Sequence, residues 1–358
     1  MVRIVEADAE IYPLEKKEDI CTHIERCGRT CYKSENMITN ETAVPFINGI
    51  LKSGHESVIE HANVIFTMPN IPENRRILTM RDIRGLNISV ERDSLTGEDA
   101  IVVSGNMRAF RDLARKYDIQ DFLLLIGNPL FFIKQDASRA FDGIKLESVQ
   151  TSRFSELHNY ITTHSVCDLG AYKDITRHRL ASFSIESTRY CNYAKGKFGS
   201  ELTMIEPCNI EKGTEMYAEW LKCMNMIEES YMKMAALGGK GDQLRMLLPH
   251  SIKADMIMSA NITEWKHIFS LRCHQAAHPS VRLIMKKMLN AFYRQWPDFF
   301  AEQYREFIGQ QSRSDESGCS ASHDLSTGES DETGGSGDVR AAILRLEKFK
   351  PLCYMQDQ

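Results

Sequence analysis

The hydrophobic pattern changes period several times along the chain, and each change marks an element. Residues 1–68 read as a short strand, a helix over about 18–30, a second helix over about 41–53, and a strand at 62–68 rich in β-branched and apolar side chains. Strand character returns at 87–90 and 101–103, on either side of a turn-rich stretch at 93–99. A helical period follows over 106–116, with Met107, Phe110, Leu113 and Ala114 on one face. Residues 158–167 are strand-like, and the chain turns helical from Ala171. A long amphipathic helix is expected over 214–237, ending at Gly238, Gly239 and Gly241. Two more are expected, over 243–261 with Pro249 forcing a kink or restart, and over 279–293. No internal repeat is evident. These elements predict an α+β domain over 1–309, interrupted at about 69–150 by a small inserted α+β subdomain.

Residues 310–338 are rich in Ser, Gly, Asp and Glu and nearly devoid of apolar side chains, so a disordered acidic linker is expected there. A short terminal helix is expected within 339–358.

Composition narrows the function classes. With 42% hydrophobic and 26% charged residues the chain is ordinary globular protein. The formal net charge of −5 excludes a polycation that coats nucleic acid, so any anion site must be a local cluster of Arg and Lys. The most apolar run, 122–133, is broken by Gly127, Asn128 and Pro129 and is too short for a bilayer, which needs about 20 apolar residues. The N-terminus lacks the apolar core of a signal peptide, and a soluble cytoplasmic protein is expected. The ten cysteines include no C-x-x-C pair, which favours reduced, buried thiols over a metal site. His55 and His61 flank Glu56 and Glu60 without the H-E-x-x-H spacing, so no metal is expected there either.

Chemistry concentrates in 174–190, where Arg177, His178, Arg179 and Arg189 fall close together. With the first part helical, Asp174, Arg177 and His178 share one face and Arg179 projects elsewhere, so the segment can address two ligands from two sides. Guanidinium groups suit phosphate, and Ser187 adds a hydroxyl donor. The arginines are interleaved with Leu180, Ala181, Phe183 and Ile185, which implies partial burial. Buried guanidinium groups call for an anionic ligand or for ion pairs within the protein.

The pattern R-H-R-x7-S, formed by Arg177, His178, Arg179 and Ser187, resembles the signature of flavin-dependent thymidylate synthases. The flanking Ser187-Thr188-Arg189-Tyr190 and Cys191-Asn192-Tyr193 fit the same family. Upstream, residues 54–61 resemble its H-E-x-x-x-E-H block. Downstream, 245–249 resemble R-x-x-L-P, 261–267 resemble N-x-x-x-W-x-H, Leu271-Arg272 match its L-R, and Ala277-His278-Pro279 follow. The resemblance covers roughly 1–68 and 158–305.

It implies a fold with a central antiparallel sheet and helices, and a homotetramer whose active sites are shared between subunits. It also implies an activity: methylation of dUMP to dTMP, with methylenetetrahydrofolate as carbon donor, FAD as hydride carrier and NADPH as reductant. By the same resemblance Asp174, Arg177, Ser187, Thr188, Arg189, Arg245 and Arg272 contact the nucleotide. Arg272 lies at the pyrimidine as the catalytic group. Ser57, His178, Arg179, Leu180, Asn261 and His267 contact FAD. No cysteine serves as nucleophile.

Three positions depart from the pattern. Family members carry Gln or Glu where Asp174 and Ile185 stand, and an arginine is common where Thr263 stands. The departures leave open an enzyme on the same scaffold with another pyrimidine nucleotide or one-carbon product. A non-catalytic nucleotide- or nucleic-acid-binding relative also stays open, with Arg75, Arg76, Arg81 and Arg84 as a basic surface.

Overall fold

The computed structural model describes residues 1–14, 16–134, 139–147 and 153–309; the expected linker at 310–338 and terminal helix at 339–358 lie outside the described residues. Strands β1 (Arg3–Val5) and β2 (Asp8–Ile11) are followed by helices α1 (Ile20–Thr30) and α2 (Ala43–Lys52). A 3-10 turn, Glu56–His61, leads into β3 (Asn63–Pro69). Next come β4 (Leu86–Arg92), β5 (Asp99–Asn106), α3 (Met107–Tyr117), α4 (Asp121–Ile126) and β6 (Lys145–Leu146). A second 3-10 turn, Glu156–His158, leads into β7 (Tyr160–Asp168), α5 (Leu169–Ile175) and β8 (Ser182–Ile185). The described residues end with β9 (Thr203–Ile205), α6 (Glu215–Ala236), α7 (Gly241–Leu244), β10 (Lys253–Asn261), α8 (Ile262–Arg272), α9 (Pro279–Gln295) and α10 (Pro297–Phe307).

The fold is α+β, with two four-stranded antiparallel sheets rather than one central sheet. Their orders are β4-β5-β3-β6 and β2-β7-β10-β8. β1 and β9 form a small parallel pair, and β9 is tied to the approach to β10 by the Met204–Ile252 bridge. β3 belongs to the first sheet, so the stretch 69–150 shares a sheet with residues that precede it. Each sheet has its own core. One gathers Phe66, Phe110, Leu113 and Phe122, the other Trp265, Phe269, Phe292 and Phe300.

The expected helix over 243–261 is corrected to a short helical turn followed by strand β10. Residues 256–260 are all buried, as in a strand covered on both faces, and Ala254, Met256, Met258 and Ala260 on one face belong to the core of the second sheet. Met and Ala are good helix formers, and here ladder pairing with β7 and β8 overrides their propensity.

The two sheets repeat one plan. In each, three successive strands lie in the order first, third, second, and the third runs straight into an eleven-residue helix. Asn106 caps α3 by accepting from the Ala109 amide at 2.9 Å, and Asn261 caps α8 by accepting from the Glu264 amide at 2.8 Å. The first amide of each helix hooks back identically: Met107 N–H to Ala62 O at 2.9 Å, Ile262 N–H to Asn159 O at 2.8 Å. Register agrees as well, with Ser104 opposite Asn87 and Ile65, and Ser259 opposite Ser182 and Thr162.

Candidate active site

Two buried histidines tie the halves together. His61, at the end of the turn before β3, reaches into the other sheet: Nδ1 lies 2.8 Å from Ser259 Oγ and Nε2 lies 3.0 Å from Ser184 Oγ. His158, at the end of the turn before β7, does the reverse, with Nδ1 2.8 Å from Ser104 Oγ and Nε2 2.7 Å from Ser89 Oγ. Burial drives the His61 ring down to about 3 and also lowers His158, so each is a neutral hydrogen-bonding hinge.

Residues of both halves enclose a cavity of about 400 Å³. Both halves line it at matching positions: Arg84 and Arg179, Gly85 and Leu180, Asn87 and Ser182, Asn106 and Asn261, Arg108 and Thr263. Arg84 donates to the Arg179 carbonyl at 2.8 Å, so these two equivalent segments touch. Gly85 sits at φ 79°, and a Cβ there would fall 2.5 Å from Asn106 Nδ2, so glycine is required where Leu180 stands in the other half. Leu180 is 79% exposed, an apolar side chain at the cavity mouth. Among the described residues neither Arg84 nor Arg179 is paired with a carboxylate, whereas Arg108 meets Glu60 at 2.7 Å and Asp112 at 3.8 Å.

A second cavity, about 410 Å³, lies against α5 and includes Asp174, Arg177, Lys173, His250 and His278. Arg177 and Asp174 are 3.7 Å apart there. The R-H-R segment therefore sends Arg177 to one cavity and Arg179 with Leu180 to another, while His178 is buried between them. Arg272 donates from Nε to His178 Nε2 at 3.0 Å and from a terminal nitrogen to the Asp174 carbonyl at 2.8 Å. That leaves His178 Nδ1 to face Glu264 at 3.6 Å, a chain that fixes the Arg272 fork. His267 packs edge-on to His178, ring centroids 6.0 Å apart, and is itself exposed.

The remaining sequence candidates are dispersed. Ser57 is exposed on the turn before β3 and lines neither cavity. Ser187 is half-buried, its amide donating to Cys31 O at 2.9 Å, and Thr188 is buried. Arg189 is exposed, its guanidinium 4.5 Å over the Tyr190 ring, and Arg245 is exposed on the turn after α7.

Ile185 packs against the core of the second sheet. The adjacent Glu186 is the buried acid, accepting from Tyr193 Oη at 2.8 Å and from Lys253 at 3.2 Å. Burial raises Glu186, while hydrogen bonds from His164 and Lys253 outweigh burial at Asp255 and hold that carboxyl well below the usual range. Cys191 is fully buried and its thiol is pushed up to about 12 by burial, so it supplies no thiolate.

Residues 14–81 and 150–298, more than half of the chain, match the sequence model of the family described as thymidylate synthase complementing protein. The chain belongs to this family. Among similar family members, a flavin-dependent thymidylate synthase from Pyrococcus furiosus is 31% identical over 123 residues, covering 34% of this chain and 50% of that protein. One from Thermococcus onnurineus is 27% identical over 139 residues, covering 37% and 56%. The chain thus spans about half the length of the curated relatives it matches. Among solved structures, thymidylate synthase X from Helicobacter pylori with FAD and dUMP shares 18% identity at a TM-score of 0.34, covering 40% of this chain and 72% of that one. A UMP/dUMP methylase, PolB, from Streptomyces cacaoi bound with 5-Br dUMP shares 12% identity at 0.38, covering 86% and 98%. Both structural likenesses are too loose to argue from.

The family match skips 82–149, the stretch that contributes Arg84, Asn106 and Arg108 to the first cavity. Sequence reasoning missed these as site residues. The signal was present in the spacing: Asn106-Met107-Arg108 repeats the strand-to-helix position of Asn261-Ile262-Thr263, and Ile83-Arg84 that of His178-Arg179.

Proposed function

We propose that this chain is a flavin-dependent thymidylate synthase, methylating dUMP to dTMP with methylenetetrahydrofolate as carbon donor, FAD as cofactor and NADPH as reductant. The observation that carries the reading is the R-H-R segment, which divides two cavities with one arginine turned to each. Arg179, Leu180 and Asn261 line the cavity between the sheets, and the residues there fit a flavin dinucleotide. Arg84 and Arg179 would hold its diphosphate, with Asn63, Asn87 and Asn106 offering polar contacts and Leu180 an apolar one. Ser57 and His267 would act from the rim.

When bound, the flavin supplies the hydride chemistry, and the protein's part is orientation and charge. Asp174 and Arg177 hold the nucleotide from the second cavity, with Ser187, Thr188, Arg189 and Arg245 completing the phosphate contacts. Arg272, fixed by His178 and the Asp174 carbonyl, stabilises negative charge as it develops on the pyrimidine. The exposure of Arg189 and Arg245 supports a shared site, with a homotetramer bringing them to a neighbouring subunit's nucleotide. The substrates and reductant are those of the cytoplasm, the proposed location, and no helix among the described residues is long and apolar enough to cross a membrane.

The test is direct. Purified protein should be yellow, bleach on adding NADPH, and release the C5 hydrogen of dUMP when methylenetetrahydrofolate is supplied. Colourless protein that takes up no added FAD would overturn the reading.

A further inference from the structure

Eight of the twenty residues that line the first cavity lie in the stretch the family match leaves out. The matched half contributes Arg179, Leu180, Asn261 and Thr263; the other contributes Arg84, Gly85, Asn106 and Arg108 from the same strand and helix positions. The equivalence does not rest on overall shape. It holds atom by atom in the caps of α3 and α8, in the amide hooks to Ala62 and Asn159, and in the crossed pairs His61–Ser184/Ser259 and His158–Ser89/Ser104. A chance resemblance between two antiparallel sheets would not place both imidazoles with the same nitrogen on the same strand.

We propose that residues 56–117 are a second, diverged copy of the unit in 156–272, and that this copy completes the flavin cavity by supplying Arg84 and Arg108 as binding residues. The ligand class is a dinucleotide diphosphate, and the inference rests on the flavin reading above. Charge argues for the division. Thr263 brings no cation, and Arg108, ion-paired with Glu60 and Asp112, stands at its counterpart position across the cavity. Arg84 donates to a carbonyl rather than to an acid, so its charge is left to meet an anion together with Arg179. Arg108 is held in place by Glu60, whose other carboxylate oxygen accepts from Ser182 of the second half at 2.9 Å. One chain therefore holds, in a single cavity, contributions that two separate units would otherwise have to bring together.

The experiment is an FAD titration followed by flavin fluorescence on purified apoprotein, with no turnover required. Arg84→Ala and Arg108→Ala should each raise the FAD Kd about tenfold or more, the loss of one charge-assisted contact. Arg92→Ala, on the same sheet but outside the cavity, should match wild type. Thr263→Arg introduced into Arg108→Ala should recover most of the affinity, because the new arginine enters the same cavity from the equivalent position; circular dichroism checks folding throughout. Wild-type FAD affinity in both single variants would overturn the inference while leaving the flavin reading intact. Loss in both without recovery in the double variant would overturn the equivalence of the two copies. Absence of FAD binding by wild-type protein would instead sink the flavin reading.

Discussion

The two sheets share a plan and differ in what they carry. The second holds the R-H-R segment, a full α5 and a long excursion between β8 and β10 that builds β9, α6 and α7. In the first, α5 is reduced to a 3-10 turn, Arg75–Thr79, and β4 returns to β5 through a tight loop at 93–98. What the first half keeps is informative: the histidine, the two serines it does not itself touch, the capping asparagine and one arginine at the cavity. The residues that join the halves and line the shared cavity persist, and those facing the second cavity are gone. The comparison teaches that the first half is retained for the joint cavity, and the second for both.

The largest expected effect tests whether the halves stand on equal footing in stability. Phe110 and Trp265 occupy the same helix position, and both are buried, in separate cores. Phe110→Ala and Trp265→Ala should each destabilise by about 3–5 kcal/mol in urea unfolding. A negligible cost at Phe110 alone would show the first half to be an appendage.

The crossed histidines sharpen the same point. Replacing either His61 or His158 with Ala removes two hydrogen bonds to serine hydroxyls, a cost of about 1 kcal/mol per bond; Ser259 keeps its contact with Thr162 and Ser89 its bond to Glu91. The two variants should lose similar amounts, measured by the urea midpoint.

Acid should weaken this junction. Both rings have their folded pKa depressed below the ordinary 6.5, His61 to about 3. Such a group binds its proton in the unfolded chain first, so its contribution is whole above pH 6.5 and is lost as pH falls toward the folded value. His61 contributes a slope of about 1.4 kcal/mol per pH unit in that window, and His158 adds in the same direction. His23, close to His61 and lowered to about 4 by burial, adds in the same direction. Unfolding free energy flat between pH 7 and 5 would contradict the neutral, buried assignment.

The smallest effects separate the arginines of the second half. Arg189→Ala or Arg245→Ala should mainly raise the KM for dUMP, by roughly 1.5–3 kcal/mol for a lost charged contact. Arg272→Ala should lower kcat with flavin content preserved, and Arg272→Lys should recover little, because a single ammonium cannot reproduce the two bonds of the Arg272 fork. Cys191→Ser should leave turnover in place.

Much of this was legible in the sequence. The β-branched, apolar run at 62–68, the amphipathic face of Met107, Phe110 and Leu113, and the long helix before Gly238 all follow from side-chain type and spacing alone. Trp265 and Phe269 at helical spacing point to a core, and both are fully buried. The motif's division between two sides could be read from Asp174, Arg177 and Arg179. Strand β8 was harder: four residues, Ser182–Ile185, with alternate positions polar, give too short a signal. The repeat was illegible because core positions drift freely among apolar types, as with Phe110 and Trp265, or Leu113 and Ile268. Only a few polar positions, Ser89/Ser184, Ser104/Ser259 and Asn106/Asn261, are held fixed by hydrogen bonds. Scattered identities of that kind become a pattern only once strand register aligns them. Arg84 looked like part of a basic surface for the same reason, and pairing of β4 with β5 turns it into the partner of Arg179.

The central claim is that the flavin lies between the two halves, and the measurement that tests it most directly is a crystal structure of the protein with FAD bound. The account predicts one flavin per chain in the cavity between β4–β5 and β8–β10, within contact of Arg84, Arg108 and Arg179. A flavin seated in the second cavity against Arg177 and Asp174, or one touching nothing in residues 82–112, would contradict it.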